Sequence, residues 1–237
     1  MPNVTYLRAA VAAGLTVFLA AVPSTAPAAV VAQYAFTGGS AASTDPEPDA
    51  SSTASNIALV ATGSSISATS NNLFLRSNAT TATTEAQAIT NNTYVGFTFT
   101  PQNGVAYDLT ALAFSSGASN SPTDQGSINA SVAVKSSVGG FGEADPTLGT
   151  FTKTVAGGNG GSGVLDPRSI DLTTFGDAFQ GLAGPVEFRF YIFDDKDSND
   201  QINRLDSIVL SGDPVPEPAT AGLLALGAVI GLARRRR

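Results

Sequence analysis

The stretch Val186-Glu187-Phe188-Arg189-Phe190-Tyr191-Ile192-Phe193 carries the clearest structural signal in the chain. Successive side chains of an extended backbone point to opposite faces, so Val186, Phe188, Phe190 and Ile192 share one side. Four bulky apolar residues at period two predict a strand with one face deep in a core. The same alternation recurs on both sides of it in sequence. Val95, Phe97 and Phe99 alternate with Gly96 and Thr98 until Pro101 ends the run. Ile128, Ala130, Val132 and Val134 form another set. Further strand candidates are Gln33 to Phe36, Ile57 to Ala61, Asn72 to Arg76, Ala106 to Ser115, Leu148 to Val155, Ser169 to Leu172 and Leu205 to Ser211. Threonine and valine, which suit a pleated surface, dominate these runs. Turns of Gly, Asn, Asp and Pro separate them. The helical pattern is confined to Thr174 to Leu182, closed by Gly184-Pro185. Gly38 to Ser55 reads as a long loop, and Asn78 to Ala88 as a polar edge strand or loop. The expectation is an all-β chain: a single antiparallel β-sandwich or jelly roll of about ten short strands. Phenylalanine would fill its core, since there is no tryptophan.

Composition narrows the chemistry. The 237 residues include no cysteine and no histidine. Disulfides, thiolate metal sites, a thiol nucleophile and a Ser-His-Asp triad are therefore excluded. Carboxylates, lysine, tyrosine and oxygen-ligated metals remain. The formal charge of −7 hides an uneven distribution, because five of the basic residues lie at the ends: Arg8 and Arg234 to Arg237. Between Gln33 and Asp213 there are 18 acids against 7 bases, a balance of −11. Such a surface repels phosphates, so nucleic acid is not expected as a partner. The Gly-rich loop Gly157 to Gly163 is followed by Val164-Leu165-Asp166-Pro167, not by the Lys-Ser/Thr helix that a phosphate loop requires.

The two ends read as addresses. Arg8 precedes the uninterrupted apolar run Ala9 to Val22, after which Pro23, Ser24 and Pro27 break a helix. Small residues at cleavage spacing follow at Ala26 and Ala28 and again at Val30 and Ala32. The expectation is an N-terminal signal helix spanning residues 1–32 and cut after Ala32, with Ala28 as the alternative. At the other end, Val215-Pro216-Glu217-Pro218-Ala219-Thr220 is followed by the apolar stretch Ala221 to Ala233 and then by Arg234, Arg235, Arg236 and Arg237. As a helix the apolar stretch would be roughly 20 Å long, short of a full hydrocarbon core unless the bilayer thins. The arginines would stay on the cytoplasmic side. Residues 214–237 are thus expected to comprise a proline-bounded motif, a hydrophobic C-terminal helix and a membrane stop. The three-part tail resembles the PEP-CTERM sorting signal of exopolysaccharide-producing bacteria. The resemblance implies export by the general secretion machinery and recognition by an exosortase. It also implies cleavage at or near Pro216-Glu217-Pro218 and delivery of the body, residues 33–213, to the cell surface or extracellular matrix.

Within the body, two sets of residues are candidates for binding. Asp194-Asp195-Lys196-Asp197-Ser198-Asn199-Asp200 joins the last two strands. Asp195, Asp197, Asn199 and Asp206 stand at relative positions 1, 3, 5 and 12, the side-chain ligand spacing of a calcium loop. Asp200 stands where such loops have glycine, and Asp206 where they have glutamate. The alternative is a solvated acidic hairpin. No cofactor is firmly indicated; calcium, if bound, would be structural. The run Pro185 to Tyr191 followed by Arg204 to Gly212 resembles the closing strand pair of surface β-sandwich domains that carry this kind of tail. Tyr94, Tyr107 and Tyr191 are the candidate platforms for stacking a sugar ring. The leading expectation is a non-enzymatic surface or matrix protein with a structural or adhesive role in polysaccharide. The alternatives are a lectin-like carbohydrate-binding module and, behind it, a carboxylate-dependent hydrolase.

Overall fold

A computed structural model describes residues 28–44, 51–60, 65–69, 72–76, 82–119, 126–156, 164–195 and 202–215. Twelve strands occur among them: β1 (Ala29–Tyr34), β2 (Ser52–Ala54), β3 (Ala58–Val60), β4 (Ser65–Thr69), β5 (Asn72–Arg76) and β6 (Tyr94–Pro101), then β7 (Ala106–Ser119), β8 (Ile128–Ser136), β9 (Gly149–Val155), β10 (Val164–Asp171), β11 (Val186–Asp194) and β12 (Ile202–Val215). Every pairing is antiparallel. The first sheet runs β10-β7-β12-β5-β4, with β1 also against β12. The second runs β2-β6-β11-β8-β9, with β3 also against β6. The chain is an all-β sandwich, as the alternation predicts.

The core lies between the two sheets. Val186, Phe188, Phe190 and Ile192 are each at most 2% exposed. Phe190 meets Phe114 of the first sheet edge-on at 5.2 Å, while Phe97 and Phe188 stack at 5.5 Å. Offset and edge-to-face rings of this kind add to the burial of their area. Burial raises the pKa of the Tyr34 hydroxyl, which donates to the Ser55 carbonyl at 2.6 Å.

Several boundaries depart from the sequence reading. β1 begins at Ala29, four residues before Gln33, inside the segment read as leader. β12 continues to Val215, past Asp213, with Pro214 opposite Tyr107 and Val215 opposite Ala106. β11 and β12 do not pair with each other. β11 lies between β6 and β8 in the second sheet, and β12 in the first. The acidic connection therefore crosses between sheets, which stack about 10 Å apart, and is not a hairpin.

The segment Asn78 to Ala88, read as strand or loop, leads into a helix, α1 (Glu85–Thr90). Thr84 caps it by accepting from the Gln87 amide at 3.2 Å, and the Gln87 side chain reaches back to the Thr83 amide at 2.8 Å. Thr84-x-x-Gln87 is a capping-box spacing. The pattern predicted at Thr174 to Leu182 is a short 3-10 turn over Leu172–Phe179.

Candidate functional site

Three places in the fold bear on function: the inter-sheet acidic connection, the outer face of the second sheet, and the end of β12. At the acidic connection, Asp194 ends β11 with its side chain turned inward, fully buried. Asn203 of β12, also buried, donates to it at 3.2 Å. This bond ties the two sheets together beneath the loop. Asp195 faces out, and both its carboxylate oxygens are engaged by Asn129 of β8. The Asn129 backbone amide and its side-chain amide each donate at 2.8 Å. Asp206 sits elsewhere on β12, opposite Ser115, and accepts from the Ser207 amide at 2.6 Å. Burial raises its pKa. It marks the irregularity at which β12 exchanges β5 for β1 as neighbour, and Ser207 there adopts a φ of 52°. Asp197 and Asn199 lie outside the described residues. Among the described residues no group of three or more acidic side chains is placed to hold a metal. Through Asn129, Asp195 clamps the end of β11 to β8.

The outer face of the second sheet holds two of the three tyrosines proposed as platforms. Tyr94 is 8% exposed and Tyr191 1%. Their rings lie against each other with centroids 5.7 Å apart. Alternation places both opposite the core, where solvent is expected. They are covered instead, in a cluster with Ala88 and Ile89 of α1 and with Phe141 of the loop after β8. Tyr107 points into the inter-sheet core, is fully buried, and meets Phe99 edge-on at 5.2 Å. Its hydroxyl bonds Ser51. None of the three is an exposed stacking platform.

Two cations, neither singled out by the sequence, organise that outer face. Arg189 is held between two rings, its guanidinium carbon 3.8 Å from the Phe141 centroid and 4.3 Å from that of Tyr94. Glu187 accepts from it twice, at 2.7 and 3.2 Å. Burial opposes its charge. The bonds to Glu187 and Tyr191 outweigh that opposition and raise its pKa. Lys135 of β8 is fully buried, and its ammonium donates to the carbonyls of Gly142 and Asp145 at 3.0 and 2.5 Å. Glu85 of α1 lies 3.9 Å from the same nitrogen and also accepts from Thr147 at 2.7 Å. A buried ammonium is tolerated only when compensated in this way. The spacing of Glu187 and Arg189 on one strand face is visible in sequence. The ring of Phe141 that completes the stack is 48 residues upstream of Arg189 and is brought there only by the fold.

At the third place, β12 is paired to β7 through Val215. The packing along this end is close: a Cβ on Gly212 would lie 2.8 Å from the Asp108 carbonyl oxygen. Pro216 follows directly in sequence, with no intervening spacer. The helix expected at Ala221 to Ala233 lies outside the described residues. Among those described, no helix is long and apolar enough to cross a membrane.

Comparison with known proteins yields the following. No curated protein matches the chain. Among solved structures, a non-crystalline cellulose specific carbohydrate-binding module, CBM28, aligns at a TM-score of 0.36 and 12% identity, over 64% of this chain and 82% of that one. A second, described as CBM4 structure and function, aligns at a TM-score of 0.31 and 14% identity, over 69% and 95%. Likenesses this distant say nothing of what the present chain binds. Residues 214–237 match the PEP-CTERM protein-sorting motif, beginning at the last two residues of β12. The chain therefore carries the signal of an exported protein, in transit through the membrane and processed by an exosortase.

Proposed function

We propose that this protein is a non-enzymatic, exosortase-sorted surface or matrix component. Its β-sandwich is the displayed body, with a structural or adhesive role in extracellular polysaccharide. The observation that carries the reading is the continuity of β12 with the sorting motif. The strand is paired through Val215, and the motif follows at once. The paired strand thus runs into the first two residues of the sorting signal. The first strand supports the same arrangement. Ala29 pairs with Gly212, three residues before Val215, so chain entry and chain exit lie roughly 10 Å apart at one end of the first sheet. The points at which an export leader and a membrane-held tail join the body thus lie at a single pole.

The burial of Tyr94, Tyr107 and Tyr191 favours this reading over a lectin-like module, which would have to stack a sugar on other residues. The test is display in an exosortase-bearing host. Glu217→Ala, or deletion of Arg234 to Arg237, is expected to abolish surface exposure of the body while leaving its synthesis intact. Undiminished display of both variants would refute the proposal.

A further inference from the structure

We infer that the leader is removed after Ala28, and that the α-amino group released on Ala29 forms an ion pair with Asp213 at the root of the sorting tail. The inference rests on the export reading above and goes beyond it by fixing one site and one partner. Sequence spacing permits two cuts, Ala26-x-Ala28 and Val30-x-Ala32. The fold distinguishes them. β1 begins at Ala29 and pairs with β12 from that residue on, Ala29 opposite Gly212, Val30 opposite Ser211 and Ala32 opposite Leu210. Ala32 is fully buried and Val31 is 5% exposed, both within the main core. A cut after Ala32 would strip these residues from the core. It would also leave the backbone of β12 from Leu210 to Gly212 as an unpaired edge, which proteins avoid exposing. A cut after Ala28 leaves the strand whole.

The second observation is independent of the pairing. The Ala29 nitrogen donates to Asp213 Oδ1 at 3.3 Å. Hydrolysis of the Ala28–Ala29 peptide bond by a signal peptidase breaks that C–N bond. Water supplies hydroxide to the Ala28 carbonyl carbon and a proton to the Ala29 nitrogen. The new Ala28 carboxyl ionises, and the amine takes up a proton in turn, so the nitrogen that donated as an amide becomes an ammonium at neutral pH, facing the same carboxylate. A neutral hydrogen bond is thereby converted into a charge-assisted one. Processing at one end of the chain thus reinforces the strand that leads into the other end.

The experiment is N-terminal sequencing and intact mass of the full chain recovered after expression in an exporting host. The expected sequence is Ala29-Val30-Val31-Ala32. A protein starting at Gln33 overturns the inference and leaves export standing. A protein still starting at Met1 overturns export and the inference with it. For the ion pair, the α-amine of Asp213→Asn is expected to react about two-fold faster with an acylating reagent at pH 7, because losing an exposed partner lowers the amine pKa slightly. Equal rates in the two proteins, at unchanged melting temperature, overturn the pairing.

Discussion

The two faces of β11 make an instructive pair. Val186, Phe188, Phe190 and Ile192 look into the inter-sheet core and touch chiefly other rings and aliphatic chains. Glu187, Arg189, Tyr191 and Phe193 look the other way, yet Tyr191 is as buried as Ile192. The inner face is closed by a second sheet and driven chiefly by apolar area, with the Asp194–Asn203 bond at its end. The outer face is closed by α1 and the Phe141 loop, and held by placed charges: Arg189 between two rings and Lys135 beneath three oxygens. A hydrophobic face tolerates approximate neighbours. A charge-organised face depends on a few particular atoms.

That contrast sets the order of expected effects. Phe190→Ala removes a ring shared by both sheets and is expected to cost about 3–5 kcal/mol, read by denaturant unfolding of the mature protein. Lys135→Ala leaves the Gly142 and Asp145 carbonyls without their donor, and about 2–3 kcal/mol should be lost. Limited proteolysis should then cut first between Gly139 and Thr147. A loss equal to that of Phe190→Ala, with no local cutting, would erase the distinction between the faces. Arg189→Ala should cost about 1–2 kcal/mol, and Arg189→Lys should recover little, because an ammonium cannot stack flat between Phe141 and Tyr94 while bridging Glu187. Recovery by lysine would reduce the site to simple charge.

The smallest effect lies at the lateral edge, where Lys153 and Arg168 both contact Asp166, at 2.8 and 3.2 Å. The bond from Lys153, chiefly, holds the Asp166 pKa below its usual value. A depressed carboxylate stabilises the fold above its unfolded pKa, and that contribution is lost as pH falls through the folded pKa. The melting temperatures of wild type and Asp166→Asn are therefore expected to differ slightly at pH 6 and to converge as the pH falls below the ordinary aspartate range. A difference that widens in acid would reverse the sign.

The same contrast explains what could be read from sequence. Period two exposes Phe97, Phe99, Phe188 and Phe190 directly, because a sheet core needs only alternation. The cover on the outer face has no such period. α1 is six residues long, too short for a helical repeat to register, and its one signal is the capping spacing at Thr84 and Gln87. Nothing local to Tyr94 or Tyr191 therefore distinguishes a stacking platform from a covered ring. Of the partners of Lys135, Gly142 and Asp145 lie on the loop that follows its strand, but they accept through backbone carbonyls that no side-chain pattern marks, and Glu85 is 50 residues away. The acidic run at Asp194 invites a ligand reading by spacing alone. Only the topology reveals a crossing between sheets, with Asp194 bonded to Asn203 and Asp195 clamped by Asn129. The sorting tail was the most legible part, since proline motif, apolar stretch and arginine run act as a linear signal.

The most direct test of the central claim is the C-terminal mass of the protein collected from the cell surface and medium of an exosortase-bearing host. The account predicts a chain ending at or near Pro216-Glu217-Pro218, without the apolar stretch Ala221 to Ala233 and without Arg234 to Arg237. A surface protein that retains Arg237 would contradict it.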